Sequence, residues 1–171
     1  RKRCPFDLSR ALGITPFPMA KALGAYLTAE CRRGTVPGDD ARMLIDALLE
    51  REDIARLGNG AWGYEFDVQT RWAFYPMGSP NLIATVFVAR ALGGAGVVTG
   101  DPALLEQMAT SAAFLADRLL EQAERPFFRY TPDSSTLVHN ANLLGVGLCA
   151  MAGAVRHDGA LLDTARRCAR T

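Results

Sequence analysis

The stretch PNLIATVFVA, residues 80–89, decides the fold class together with the dipeptide Asp101-Pro102 that follows it. The run from Leu82 to Ala89 is apolar on every side of a helix, which predicts a helix that is buried all round. Asp101-Pro102 is a strong signal for the N-cap and the first turn of a second helix. Because that second helix has a single apolar stripe, a fully buried helix is followed by a helix with one buried face.

Helical periodicity continues on both sides of this stretch. On the N-terminal side we expect a helix over residues 17–33 and a second helix capped by Asp39 or Asp40. On the C-terminal side an all-apolar helix begins near His139, and Asp158 caps the helix after it. These signals predict an all-α protein with no confident strand pair. The predicted helical hairpins lie at about 17–56, 80–122 and 139–170.

The hairpins form an internal repeat. Aligning Asn81 with Asn140 gives a spacing of 59 residues, which is 140 minus 81. Helices that are buried all round alternate with one-faced helices, a pattern typical of concentric rings of inner and outer helices. We therefore predict a single domain over residues 1–171, an incomplete α/α toroid. The segments 57–79 and 124–138 lead into its inner helices at one end of the ring.

Composition excludes several classes of protein. The 171 residues carry a net charge of +1, so a strongly basic nucleic-acid module is excluded. The chain is 49% hydrophobic and 22% charged, which is typical of a globular protein rather than a disordered one. No apolar signal core follows the basic start, and the apolar tract at 143–155 is too short to span a membrane. Since the chain begins with Arg1, we expect a fragment of a longer protein.

The cysteines give no metal-ligand spacing. None of the four forms a C-x-x-C pair, and His139 and His157 are the only histidines. We therefore expect no metal site and no cofactor, and free buried thiols in a reducing, cytoplasmic compartment.

The two long segments hold the candidate site residues. Aromatic faces beside forked polar groups suit a sugar, because ring C–H faces pack on aromatic rings and hydroxyls bond to the polar groups. The alternative to a binding site is a structural role, in which the aromatic residues fill the end of the ring and Asp67 forms an ion pair with Arg71. The expected substrate-binding residues are Trp62, Tyr64, Gln69, Arg71, Tyr75, Asn81, Tyr130, Asn140 and Asn142.

Asp67 and His139 are the candidate catalytic residues. Histidine at an inner-helix start can act as a general acid or base, although it can equally cap the helix. Glycosidases need two carboxyl groups about 5–9.5 Å apart, for which Asp67 has Glu65 or, better, Asp133 as partner. Proton abstraction beside a carboxylate, as in uronate lyases and epimerases, would instead use His139 or a tyrosine with Arg71. A buried Asn142 would either tie down a loop or face a polar cavity.

The motifs WGYEFDVQTR (62–71), Pro80-Asn81 and VHNANLLG (138–145) carry a family resemblance. They resemble those of an uncharacterised bacterial family of α/α-toroid proteins, similar to six-hairpin carbohydrate-active enzymes and associated with polysaccharide biosynthesis. The resemblance implies a carbohydrate-active or polysaccharide-biosynthesis protein and transfers no particular activity. From the residue types above we expect an enzyme of glycoside hydrolase, lyase or epimerase type that acts on glycans containing uronic acid. The expected partners are an oligo- or polysaccharide and the remaining hairpins of the ring, without nucleic acid or a membrane span.

Two other functions stay open from the sequence. One is a non-catalytic helical scaffold that binds a sugar or a peptide. The other is a terpenoid-cyclase-like toroid that handles an isoprenoid, which would need an apolar aromatic cavity. The polarity of the two long segments argues against it.

Overall fold

The protein is described by a computed structural model, which covers residues 11–13, 18–33, 38–51, 60–71 and 73–171. The described residues are mostly helical, which confirms the predicted all-α class. The described residues form six α-helices, which are α1 (Ala20–Arg32), α2 (Asp39–Leu49), α3 (Leu82–Thr99), α4 (Pro102–Phe114), α5 (His139–Arg156) and α6 (Gly159–Cys168). One π-helical turn, Leu115–Leu119, extends α4.

Two short antiparallel strand pairs interrupt the long segments, so the expectation of no strand pair is wrong. β1 (Val68–Gln69) pairs with β2 (Phe74–Tyr75), and β3 (Leu120–Glu121) pairs with β4 (Phe127–Phe128). Each strand has two residues, which is too short for an alternating pattern to reveal it.

The helices pack as consecutive pairs around α3. In the α3–α4 pair, Gly96 faces Leu104 and Gly93 faces Met108, so the two helices are antiparallel and close. α1 packs along α3, where Gly24 lets it approach the backbone of Phe87. α5 packs on α4 and α6 and also contacts α3. α3 is therefore the central helix, and it contributes to both hydrophobic clusters of the core.

Burial follows the prediction over residues 82–89 of α3, but not at Val97 and Val98 near the end of α3 or on one face of α5. α3 is long and apolar enough to cross a membrane by length and composition, but 67% of it is buried, as in the core helix of a globular protein. α5 was expected to be buried all round, yet Leu143, Met151 and Val155 are exposed. These three residues recur at helical spacing, and no described element covers their side of α5.

Helix starts agree with the capping signals in two of three cases. The Asp101 and Asp158 side chains accept hydrogen bonds from Ala103 N and Ala160 N, as predicted. For α2 the N-cap is Gly38 instead, and the two aspartates form the first turn. There they interact favourably with the positive end of the helix dipole.

The structural repeat has a spacing of 57 residues, not 59. α3 and α5 each have 18 residues and begin at Leu82 and His139, which are 57 apart. The position that matches Asn81 is Val138, the N-cap of α5, which has no side-chain cap bond. Similarity of residue type aligns Asn81 with Asn140, whereas the backbone aligns Asn81 with Val138, two residues before Asn140.

The left-handed residues that end α3 and α5 also match at this spacing. Gly100 has φ 71° and His157 has φ 53°. A side chain in this region is strained by about 1 kcal/mol, so we expect His157→Gly to raise the free energy of unfolding by up to that amount. Chemical denaturation tests this, with Arg156→Gly as the control that should destabilise. A lower stability for His157→Gly would contradict the proposed strain.

Candidate functional site

The N-terminal ends of α1, α3 and α5 are held by residues of the two long segments, and we call this region the loop end. Ala20 N of α1 donates to Glu65 Oε1 at 2.6 Å, and Leu82 N of α3 donates to Tyr130 O at 2.9 Å. Phe128 N donates to the Asn142 side chain in the first turns of α5 at 3.0 Å. Both segments therefore converge where the helix N-termini lie, as the sequence predicts.

Three tyrosines from both segments meet at the loop end, and we call them the tyrosine cluster: Tyr64, Tyr75 and Tyr130. The Tyr64 and Tyr130 hydroxyls form a hydrogen bond of 2.7 Å. The Tyr75 ring lies 5.1 Å from Tyr130 and 6.3 Å from Tyr64 between ring centroids. Phe66 stacks on Tyr64 at 6.5 Å and is 42% exposed. The cluster thus offers a half-exposed aromatic surface with hydroxyl groups in it.

Burial favours the protonated form of two phenols in the tyrosine cluster, those of Tyr130 and Tyr75. Desolvation and then the hydrogen bond with Tyr64 raise the pKa of Tyr130 above its ordinary value of 10. Desolvation also raises the pKa of Tyr75. Both phenols therefore stay protonated at neutral pH, so they act as hydrogen-bonding groups rather than bases.

The β1–β2 hairpin carries polar side chains as well as Tyr75. Asp67 Oδ1 accepts a hydrogen bond of 2.8 Å from Met77 N, across the base of the hairpin. Gln69 donates to the Thr70 carbonyl at 2.8 Å, and Arg71 is exposed at the turn. In the hairpin register Val68 pairs with Tyr75 and Gln69 pairs with Phe74, so Gln69 lies on the face of the hairpin opposite to Tyr75.

Three expected substrate-binding residues lie in the core instead. The Trp62 ring is 1% exposed, and its Nε1 donates to Leu48 O at 2.9 Å. Asn81 is fully buried and caps α3 by accepting from Ala84 N. Asn142 is 1% exposed, accepts from Phe128 N and donates to Cys168 O at 2.9 Å. These side chains face protein atoms in this structure, and their role in binding a ligand stays a prediction.

His139 and Asn140 lie exposed in the first turn of α5. Asn140 Oδ1 accepts from the neighbouring Ala141 N at 3.0 Å. Within the described residues no hydrogen bond or ion pair joins His139 or Asp133 to Asp67. The expected catalytic pair of Asp67 and His139 is therefore not linked by a direct contact in this structure.

Glu65 is the buried carboxylate of the loop end, and its role is structural. Its Oε1 caps α1 and lies 3.7 Å from Arg51 Nε, and its side chain is 5% exposed. Its Oε2 has no partner among the described residues. The pairing of Glu65 with Asp67 as a two-carboxylate site is thus replaced by a helix cap, which the sequence spacing does not reveal.

The thiols and the metal-ligating residues form no site in the described part of the chain. No three His, Cys, Asp or Glu side chains come together there. Cys31, Cys149 and Cys168 are free thiols. Burial raises the pKa of Cys149 to about 12 and that of Cys168 to about 11, so both remain protonated and weakly nucleophilic at neutral pH.

Comparison with family models, with curated proteins and with solved structures gives no match for this chain.

Proposed function

We propose that this chain is part of an α/α toroid whose loop end binds a glycan. The toroid is supported by the repeat of α3–α4 at α5–α6 and by the gathering of the α1, α3 and α5 N-termini near the same two segments. The described helices amount to about half of a six-hairpin ring. Further hairpins would then complete the ring beside α1 or α5.

The single observation that carries the proposal is the tyrosine cluster. The two long segments meet where the Tyr64 hydroxyl hydrogen-bonds the hydroxyl of Tyr130, 66 residues later in the chain. The Tyr75 ring packs on both of these rings. Sugar rings pack on such aromatic faces, while their hydroxyls bond to tyrosine hydroxyls and to amide groups. Arg71 is exposed at the turn of the hairpin that carries Tyr75, and we assign it to a uronic acid unit of the glycan, which would favour an acidic glycan over a neutral one.

The second candidate function is glycan binding without catalysis. The observation that favours it is the hydrogen bond between Asp67 Oδ1 and Met77 N, which gives this carboxylate a role in the hairpin. His139, the other candidate catalytic residue, is exposed and has no contact with Asp67. An isoprenoid ligand is less compatible with the loop end, because the rings of the tyrosine cluster carry hydroxyl groups, two of which hydrogen-bond to each other.

We expect the full chain to bind acidic oligosaccharides more tightly than neutral ones in isothermal titration calorimetry. Arg71→Ala should remove this preference, whereas Arg166→Ala on the exposed face of α6 should not change it. The absence of binding heat for every acidic and neutral glycan in a broad panel would contradict the proposal.

Catalysis is tested separately from binding. Asp67→Asn keeps the oxygen that accepts from Met77 N but removes the charge, so the hairpin should be retained. If the protein is an enzyme of the hydrolase, lyase or epimerase type, Asp67→Asn or His139→Ala should abolish turnover of the bound glycan while binding persists. Binding without turnover in the wild-type chain would support the second candidate.

A further inference from the structure

A groove of about 580 Å³ runs between α1 and α3, away from the loop end, and we call it the α1–α3 groove. Gly24 brings α1 against the backbone of α3 at Phe87, and the groove lies beside this contact, lined by residues of both helices. Gly94 has no atom within 4 Å of the position of a Cβ, so the groove is open there. The lining residues are Ala25, Thr28, Cys31, Arg32, Val86, Phe87, Arg90, Ala91, Gly94, Val97, Val98 and Met151.

The walls are apolar and unusually exposed for a globular protein. Val97 is 67% exposed, and Val98 and Met151 are also exposed. A volume of this size and an apolar lining with few polar groups are typical of small-molecule sites. The hydrophobic effect therefore favours an occupant with an apolar body.

The charge at the groove is positive. Arg32 and Arg90 line it, and no acidic side chain does. Neither arginine forms an ion pair with a described residue. Lys21 adds a third cation, with its Nζ 4.9 Å from the Phe87 ring centroid. Arg32 also faces the negative end of the α1 dipole, so Arg90, in the middle of α3, is the better anchor for an anion.

We propose that the α1–α3 groove binds a single-chain amphiphile with an anionic headgroup, such as a long-chain fatty carboxylate. The chain lies on the exposed Val97, Val98 and Met151, and the headgroup is held by Arg90. A guanidinium binds a carboxylate through two parallel hydrogen bonds, while an apolar wall shields the pair from water. This site is separate from the loop end, and the proposal does not depend on glycan binding.

The test is calorimetric titration of the full chain with dodecanoate below its micellar concentration. We expect saturable binding of dodecanoate, at least tenfold weaker binding of dodecanol, and a similar loss of dodecanoate affinity in Arg90→Gln, since a hydrogen bond to a charged group is stronger than one between neutral groups. Dodecyl phosphate should bind as dodecanoate does, and its failure to bind would restrict the headgroup to a carboxylate. Equal binding of dodecanol and dodecanoate would overturn the role of the arginines.

Two glycine variants test the location. Gly94→Leu places a side chain in the groove from a position where a Cβ meets no atom within 4 Å, so it should abolish dodecanoate binding. Gly147→Leu on α5 is its matched control, because a Cβ there also meets nothing within 4 Å and Gly147 does not line the groove. Unchanged binding in Gly94→Leu would overturn the proposal. The proposal would also be overturned if the wild-type chain bound no dodecanoate and formed a dimer that Gly94→Leu dissociates. A second copy of the chain would then occupy the groove. Glycan binding should be the same in both variants.

Discussion

Trp62→Ala is expected to lower the free energy of unfolding by about 4 kcal/mol, the largest loss among the substitutions considered. The Trp62 ring is 1% exposed and packs with the α1, α2 and α3 residues of one hydrophobic cluster. Truncation leaves a large cavity and also removes the hydrogen bond to Leu48 O. Chemical denaturation of the full chain, followed by circular dichroism, measures the loss.

Phe74→Ala is the matched control for Trp62. Phe74 belongs to the same long segment, but it is 53% exposed on the β1–β2 hairpin. Its removal should change the free energy of unfolding by less than about 0.5 kcal/mol. If Trp62→Ala kept wild-type stability and lost only glycan binding, the assignment of Trp62 to the core would be wrong.

The next largest effect is expected for Asn142→Ala, a loss of about 3 kcal/mol. Its amide satisfies Phe128 N and Cys168 O, and both bonds lie in the buried interior. Without the amide, one donor and one acceptor are buried without partners, and each costs about 1–3 kcal/mol. Asn142 therefore joins the second long segment and the end of α6 to α5. This result is again measured by denaturation.

Asn140→Ala separates this structural role from a ligand-binding role. Asn140 is exposed two residues earlier in α5 and bonds only its neighbour Ala141 N. Its removal should leave stability nearly unchanged. Equal stability of Asn140→Ala and Asn142→Ala would contradict the roles that we assign to the two amides.

The helices were predictable because their signals are local. Helical periodicity, the apolar run of α3 and the aspartates at 101 and 158 each act within a few residues. The exposed face of α5 was not predictable in the same way. Leu143 and Met151 are as apolar as buried residues, and only the packing of neighbouring helices decides which face is covered.

The meeting of the two long segments was predictable from the sequence, but the contacts of their individual residues were not. The sequence places aromatic and polar residues in two segments, and the structure joins those segments through Tyr64 and Tyr130. It also shows that Thr85 and Asn142, 57 residues apart, both hydrogen-bond the backbone of the segment that precedes their helix. A buried polar residue that binds a loop and one that binds a ligand look alike in sequence, since only tertiary partners distinguish them.

The most direct test of the glycan site is the affinity of the full chain for an acidic oligosaccharide when Tyr75 is replaced. Tyr75→Ala removes the ring that packs on both other tyrosines, so we expect Kd to rise at least tenfold. Tyr75→Phe keeps the ring and should retain most of the affinity. Tyr26→Ala, at a 68% exposed tyrosine on α1, should leave Kd unchanged. An unchanged Kd in Tyr75→Ala, in a variant that melts like the wild type, would contradict a glycan site at the tyrosine cluster.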